Sequence, residues 1–304
     1  MGAGRTAWLG RRHGPLPKVV VIVSGGDAIT PFTTPTRAAG RGQAAGSTDT
    51  MLRQALLAAG HAVFTSPANA GPGAVTEDSG FAGFGDVPHV LPPEMTVNAV
   101  GPIDDAGTSL GAFLTHLANS YGVTSVDLIG HSMGGLFSRA AIRELSASGS
   151  SLRIRSLITL GTPWQGSFAA DYANGDLTLA AADGDQGTET IMTEFKKLND
   201  ASSSGAGEQV TRRYLAVPGG WNDQQAGVLD GIPVALIGGD YFQRVGGDRL
   251  AWPHDGLVAL GSALALDVPD SVLPIRRTQV FPDVHSIFFA HQFDLPWEKG
   301  LTWD

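Results

Sequence analysis

The chain has 304 residues, of which 42% are hydrophobic and 16% charged, with 41 glycines and 18 prolines. This is the composition of a globular chain with a large core and many tight loops, not of a disordered one. The formal net charge of -9 and the scattered Lys and Arg leave no basic stripe for phosphates, so nucleic acid is not an expected partner; the lack of cysteine rules out disulfides, thiolate metal sites and a cysteine nucleophile.

Met1 to Lys18 carries Arg5, Arg11 and Arg12 but no apolar run long enough for a signal-peptide core, and no stretch approaches transmembrane length. The expectation is a soluble chain, cytoplasmic by default and secreted if a leader has been removed. Lys18 to Ser24 (KVVVIVS) is a β-branched run that reads as a buried parallel strand entering the tight loop Gly25-Gly26. Ser47 to Gly60 has capping residues and helical spacing, and it leads into a second strand at His61 to Ser66.

Pro67 to Pro102 is rich in Gly and Pro and reads as an irregular surface excursion, followed by helical spacing from Asp104 to Tyr121. A third strand, Ser125 to Gly130, breaks abruptly before a helix at Leu136 to Leu145. Further strands are predicted at Arg155 to Leu160, Pro233 to Gly238 and Thr278 to Phe281. Alternating strands and helices predict an α/β fold, a doubly wound and mostly parallel sheet of about six strands in a single domain over residues 1–304. Residues 164–231 are too long for a connection and read as a cap or lid insertion with one good helix, Thr188 to Leu198. Gly40-Arg41-Gly42 to Gly46 loosely matches a nucleotide loop, but no strand enters it and the Walker lysine is missing.

Two segments fit G-x-S-x-G, a pattern that 41 glycines produce readily by chance. Gly107-Thr108-Ser109-Leu110-Gly111 lies at the start of a helical pattern, with no strand feeding it. Gly130-His131-Ser132-Met133-Gly134 follows an apolar strand and precedes a helix, the context in which a serine stands exposed on a strained turn. With the second strand on one side of the first and the third on the other, the strand order reverses between strands one and three, where ligands bind. Their carboxyl ends then face each other and supply an oxyanion hole: the backbone N–H of Met133, at a helix N-terminus, with that of Gly26 or Asp27.

These residues resemble the α/β-hydrolase superfamily, and within it bacterial triacylglycerol lipases and related acyl-ester hydrolases. The matching blocks are LIGHSMGG at 128 to 135, TLGTPWQGS at 159 to 167, HDGLVAL at 254 to 260 and VHS at 284 to 286. By this resemblance Asp255 and His285 complete a triad with Ser132. The family usually has His-Gly in the oxyanion loop, where this chain has Ser24-Gly25-Gly26.

The order Ser, Asp, His suits the chemistry, because a serine hydroxyl is a poor nucleophile until a base takes its proton. His131 lies in the elbow and does not readily turn back on its neighbour, His254 adjoins the proposed acid, and His291 falls in a helical stretch; His285 follows the last strand, where a loop reaches the serine. Asp240, just after the fifth strand, is the alternative acid, and Asp255 could instead cap the apolar run Leu257 to Leu266. Asp183, Asp185 and Glu194 have a faint calcium-loop spacing, but Thr188 stands at the glycine position, and no metal or other cofactor is expected. Phe288, Phe289, Phe293, Trp297 and Trp303 are read as core, with an acyl pocket as the alternative. The expected substrate is a small-molecule or lipid ester, with possible transient contact with lipid interfaces. Thioesterase, amidase or polyester-hydrolase activity and a non-catalytic binding role are the alternatives, since a triad does not name its leaving group.

Overall fold

The computed structural model describes residues 16–35, 46–75, 90–201 and 206–303. The first fifteen residues, most of the segment matched to a nucleotide loop (40–46) and the middle of the 67–102 stretch lie outside that set. The main sheet has six parallel strands in the order β2-β1-β5-β6-β7-β8. These are β1 (Lys18–Val23), β2 (Val63–Thr65), β5 (Ser125–His131), β6 (Arg153–Leu160), β7 (Val234–Gly239) and β8 (Arg276–Phe281), with the short pair β3 (Ala68–Asn69) and β4 (Val97–Asn98) forming a sheet of its own.

Side chains of β1 alternate between two apolar layers, as period two requires of a strand covered on both faces. Val19, Val21 and Val23 pack in the main core with Phe113, Leu114 and Phe137, while Val20 and Ile22 join Ile129, Leu160 and Leu56 on the other side. The main-core helices are α2 (Ile103–Tyr121) and α3 (Gly134–Ala147); Leu56 belongs to α1 (Gly46–Ala58). Each fully buried Leu or Phe side chain contributes about 2 kcal/mol. At Gly107 of α2, an added Cβ would stand 2.3 Å from the Cβ of Ala140 in α3. The second G-x-S-x-G match therefore serves helix packing, and its Ser109 sits inside α2.

The described parts of the stretch, 67–75 and 90–102, hold more regular structure than their composition predicts. They contribute the β3–β4 pair, and Ala68, Leu91, Val97 and Ala99 are buried in the main core. Glycine and proline counts report turns, and they are blind to isolated apolar residues that point inward.

Between β6 and β7 the chain forms α4 (Phe168–Ala173), α5 (Gln186–Ala201), α6 (Ala206–Gln209) and α7 (Arg212–Leu215). Phe168, Ala181, Ile191 and Met192 from this stretch gather with Ala251 and Trp252 into a separate small core. Beyond it lie α8 (Leu260–Ala263) and α9 (Ile287–Gln292). The run Leu257 to Leu266 is helical only over α8. Among the described residues no helix is long and apolar enough to cross a membrane.

Candidate active site

Strand β5 ends at His131 and α3 begins at Gly134, so Ser132 and Met133 turn the corner. Ser132 has φ +54°, a left-handed conformation that costs energy for a residue with a side chain and that marks a strained site. The space around the turn explains its glycines. A Cβ on Gly130 would lie 2.5 Å from the Gly135 nitrogen, one on Gly134 2.1 Å from the Val23 carbonyl oxygen, and one on Gly135 2.2 Å from Thr162 Oγ1. The corner is also tied to β6: Ser132 N–H donates to the Leu160 carbonyl (2.8 Å), and Thr162 Oγ1 donates to the Ser132 carbonyl (2.8 Å).

His285 and Asp255 meet beyond the ends of β8 and β7. His285 Nδ1 lies 2.7 Å from Asp255 Oδ2, and Asp255 Oδ1 accepts from the Leu257 and Val258 N–H groups at 2.9 and 2.8 Å. Both residues are buried. With Nδ1–H directed at the carboxylate, Nε2 carries the lone pair, and it is buried with no hydrogen-bond partner among the described residues. The structure therefore shows the acid–histidine contact but no hydrogen bond from Nε2 to Ser132, a contact that in unliganded sites often tightens only on substrate binding. The elements nonetheless converge, because Ser132, Asp255 and His285 follow strands β5, β7 and β8 of one parallel sheet, and the ring of His131 is 5.0 Å from that of His285.

Asp240 is not brought to His285. Its N–H joins the Phe281 carbonyl at the end of β8, and its Oδ2 accepts from exposed Gln243 at 3.0 Å. Position after β7 points to Asp240, whereas the HDGLV block points to Asp255, whose carboxylate contacts the histidine.

The loop after β1 lies directly on the corner. A Cβ on Gly25 would come within 2.5 Å of Ser132 Cβ and 3.2 Å of its Oγ, and one on Gly26 within 3.1 Å of Met133 Sδ. Asp27 has φ +57°. Among the described residues, the N–H groups of Gly26, Asp27 and Met133 donate to no backbone acceptor. The Met133 N–H stands at the start of α3, where a free donor is suited to a developing negative charge, and those of Gly26 and Asp27 lie in the loop facing it.

Three features escaped the reading of the sequence. Gly161, at the end of β6, has φ +56°, and a Cβ there would lie 3.0 Å from both Asp255 Oδ2 and His285 Nδ1, so the glycine of TLGTP makes room for the pair. Its signal was present in the motif but had no partner in sequence. His254 is fully buried, stacked on Phe242 with ring centroids 4.9 Å apart, and its Nε2 is 3.1 Å from Thr188 Oγ1 in α5. Burial pushes its imidazole down to about 4. His131 is driven down further, to about 3, by burial first and then by the nearby His285.

The acidic residues with calcium-like spacing have other partners: Asp185 caps α5 through Thr188 at 2.8 Å, Asp183 pairs with Arg244, and Glu194 with Lys197. Among the described residues no group of His, Asp and Glu could hold a metal. The aromatic tail is not uniformly core, since Phe288 is 57% and Trp297 45% exposed, whereas Phe289 stands 5.7 Å from the His285 ring. A six-residue helix, α9, cannot bury aromatics on all of its sides.

Residues 89–211 match the family described as alpha/beta hydrolase of unknown function (DUF915). No curated protein matches the chain in sequence. Among solved structures, the Bacillus licheniformis lipase BlEst2 in mature form is similar over 88% of this chain and 87% of its own, with a TM-score of 0.50 and 16% identity. The same lipase in its propeptide form aligns over 90% of this chain and 48% of its own, with a TM-score of 0.52 and 16% identity. At that identity the likeness speaks to the fold.

Proposed function

We propose that this chain, a member of the α/β-hydrolase superfamily that resembles its lipases and esterases, is a serine hydrolase cleaving carboxylic esters with a hydrophobic acyl group. The observation that carries this reading is the buried Asp255–His285 pair at 2.7 Å beyond strands adjoining the one that ends in the strained corner at Ser132.

In the proposed reaction Ser132 Oγ attacks the ester carbonyl as His285 Nε2 takes its proton, and Asp255 holds the imidazolium that results. The tetrahedral oxygen receives N–H groups from Met133 and from Gly26 or Asp27, each donor contributing about 3 kcal/mol. His285 then protonates the departing alcohol, and water, activated by the same histidine, releases the acyl group from Ser132. No cofactor is required.

Ser132 is only 8% exposed and His285 3%, so a substrate needs a covering element to move. We assign that role to residues 164–231 as a cap inserted in a single domain: its Phe168, Ala181, Ile191 and Met192 gather in a small core with Ala251 and Trp252, while Trp164, Val210, Leu215 and Trp221 tie the segment to the main core. Exposed Phe288, three residues beyond His285, and exposed Trp297 support a lipid or small apolar ester as partner, met in transient contact with a lipid interface.

The test is turnover of a p-nitrophenyl ester, with fluorophosphonate labelling and peptide mapping. Ser132→Ala lowers turnover by about five to six orders of magnitude and abolishes labelling, whereas Ser109→Ala does little. Labelling elsewhere in the folded chain, or none, refutes the assignment.

A further inference from the structure

A second histidine–aspartate pair lies beside the first. His131 Nε2 is 2.9 Å from the carbonyl oxygen of His285, an acceptor, so Nε2 carries the proton and donates. His131 Nδ1 then faces Asp49 Oδ1 at 3.8 Å. Asp49, on α1, is fully buried, and its Oδ2 accepts from Ser24 Oγ at 2.5 Å; Ser24 Oγ in turn accepts from Thr30 Oγ1 at 3.0 Å. Ser24 and Thr30 bracket the loop that carries Gly25, Gly26 and Asp27. One buried carboxylate thus reaches the oxyanion loop by one oxygen, and by the other it faces a ring that holds the backbone of His285.

Burying a carboxylate and an imidazole is costly unless each is held by polar partners. An apolar pair would close the same space between α1 and β5 at lower cost. The groups spent here all point at segments whose placement sets the reaction geometry.

The geometry points to Asp49 and His131 as positioning residues: Asp49, through Ser24, fixes the oxyanion loop, and His131, through the His285 carbonyl, fixes the height of the catalytic imidazole above Ser132. Neither residue touches substrate. The assignment rests on the serine-hydrolase reading above for its effect on rate, although not for its effect on His285 itself.

Two pairs of variants test it. His131→Leu removes the donor, whereas His131→Gln places an amide N–H near the position of Nε2. Asp49→Leu removes the acceptor for Ser24, whereas Asp49→Asn keeps it and offers an N–H to His131 Nδ1. With a p-nitrophenyl ester the leucine variants should lose about 100-fold in kcat at a KM within about threefold of the parent, the loss expected of a roughly 1 Å misplacement. The amide variants should recover to within about fivefold.

The readout independent of turnover is the downfield proton resonance of His285 Nδ1–H against Asp255. It should shift or broaden in His131→Leu and return in His131→Gln. Amides of Gly25 to Asp27 should exchange faster in Asp49→Leu and regain protection in Asp49→Asn. If leucine variants fail to fold, Ser24→Ala, which removes a single hydroxyl, should still lower kcat by about tenfold and speed that exchange. Parental kcat with an unchanged resonance in His131→Leu, amide variants as poor as the leucines, or an inert Ser24→Ala would each overturn the proposal. A parent chain that never turns over esters refutes the hydrolase reading alone, because the resonance and exchange comparisons still decide the positioning roles.

Discussion

Asp255 holds His285 twice: its Oδ2 lies 2.7 Å from His285 Nδ1, and its backbone carbonyl accepts the His285 N–H at 2.7 Å. The first contact sets the tautomer and tilt of the ring, and the second sets the position of the loop. Asp255→Asn disturbs only the first. Its kcat on an ester should fall by about four orders of magnitude, because the amide favours the wrong tautomer, while the melting temperature changes little. Asp240→Asn should stay within about twofold of the parent, since among the described residues its carboxylate meets only exposed Gln243. A large loss at Asp240 and none at Asp255 would reverse the assignment of the acid.

Gly25 and Gly26 should respond differently to alanine. At Gly25 the new methyl meets Ser132 Cβ at 2.5 Å and the His131 carbonyl at 2.9 Å, both fixed by the corner, whereas at Gly26 it meets the flexible end of Met133 at 3.1 Å. Gly25→Ala is expected to cut kcat by about 100-fold or more, and Gly26→Ala by less than about tenfold, in the same assay. Equal effects would show that the loop is not seated on the serine.

Acid should destabilise the fold through its buried histidines. His254 at about 4 and His131 at about 3 both lie below the unfolded value of 6.5. The folded chain therefore keeps them neutral, and the unfolded chain binds more protons between the two values. Their contribution is complete above pH 6.5 and is lost as pH falls, by up to about 1.4 kcal/mol per pH unit for each group. Urea unfolding between pH 8 and 4 should show this slope, and His254→Gln should flatten it by one proton. An unaltered slope in that variant would exclude His254 as a contributor.

Arg139 offers a test of the core. Its guanidinium is fully buried between Trp164 (4.2 Å to the ring centroid) and Trp221 (4.7 Å), and Nη1 donates to Asn222 at 2.8 Å. Burial lowers it to about 9. Arg139→Lys loses the flat cation that both indoles stack on and should destabilise by about 2 kcal/mol, and Arg139→Ala by about 3 kcal/mol, read by urea unfolding. Parental stability in Arg139→Lys would remove the stacked geometry from the account.

The sheet was legible because its strands are short β-branched runs bounded by Gly and Pro, and the observed ends differ from the expected ones by a few residues. The helix expected at Thr188 to Leu198 is α5, Gln186–Ala201. Ser132 was legible because an elbow is a local event: strand, glycine, serine, glycine, helix. The roles of Asp49, His131 and Gly161 were not, because each depends on what stands across the sheet, such as Ser24 from Asp49 or His285 from Gly161. Asp240 and Asp255 show the same limit: position just after β7 pointed to Asp240, the HDGLV block pointed to Asp255, and only the fold shows that it is the Asp255 carboxylate that lies 2.7 Å from His285. The β3–β4 pair escaped because a strand of two residues has no period to detect.

The crowding around Gly130, Gly134 and Gly135 has a consequence for how such a chain diversifies. With neighbouring atoms less than 2.6 Å from where each of their side chains would begin, the corner tolerates no enlargement. Variation around the site must therefore arise away from the corner, and within the stretch between β6 and β7 the freer part is the one that gathers with Ala251 and Trp252, because Trp164, Val210, Leu215 and Trp221 are built into the main core. Engineering for new substrates belongs in that freer part, with the corner left untouched.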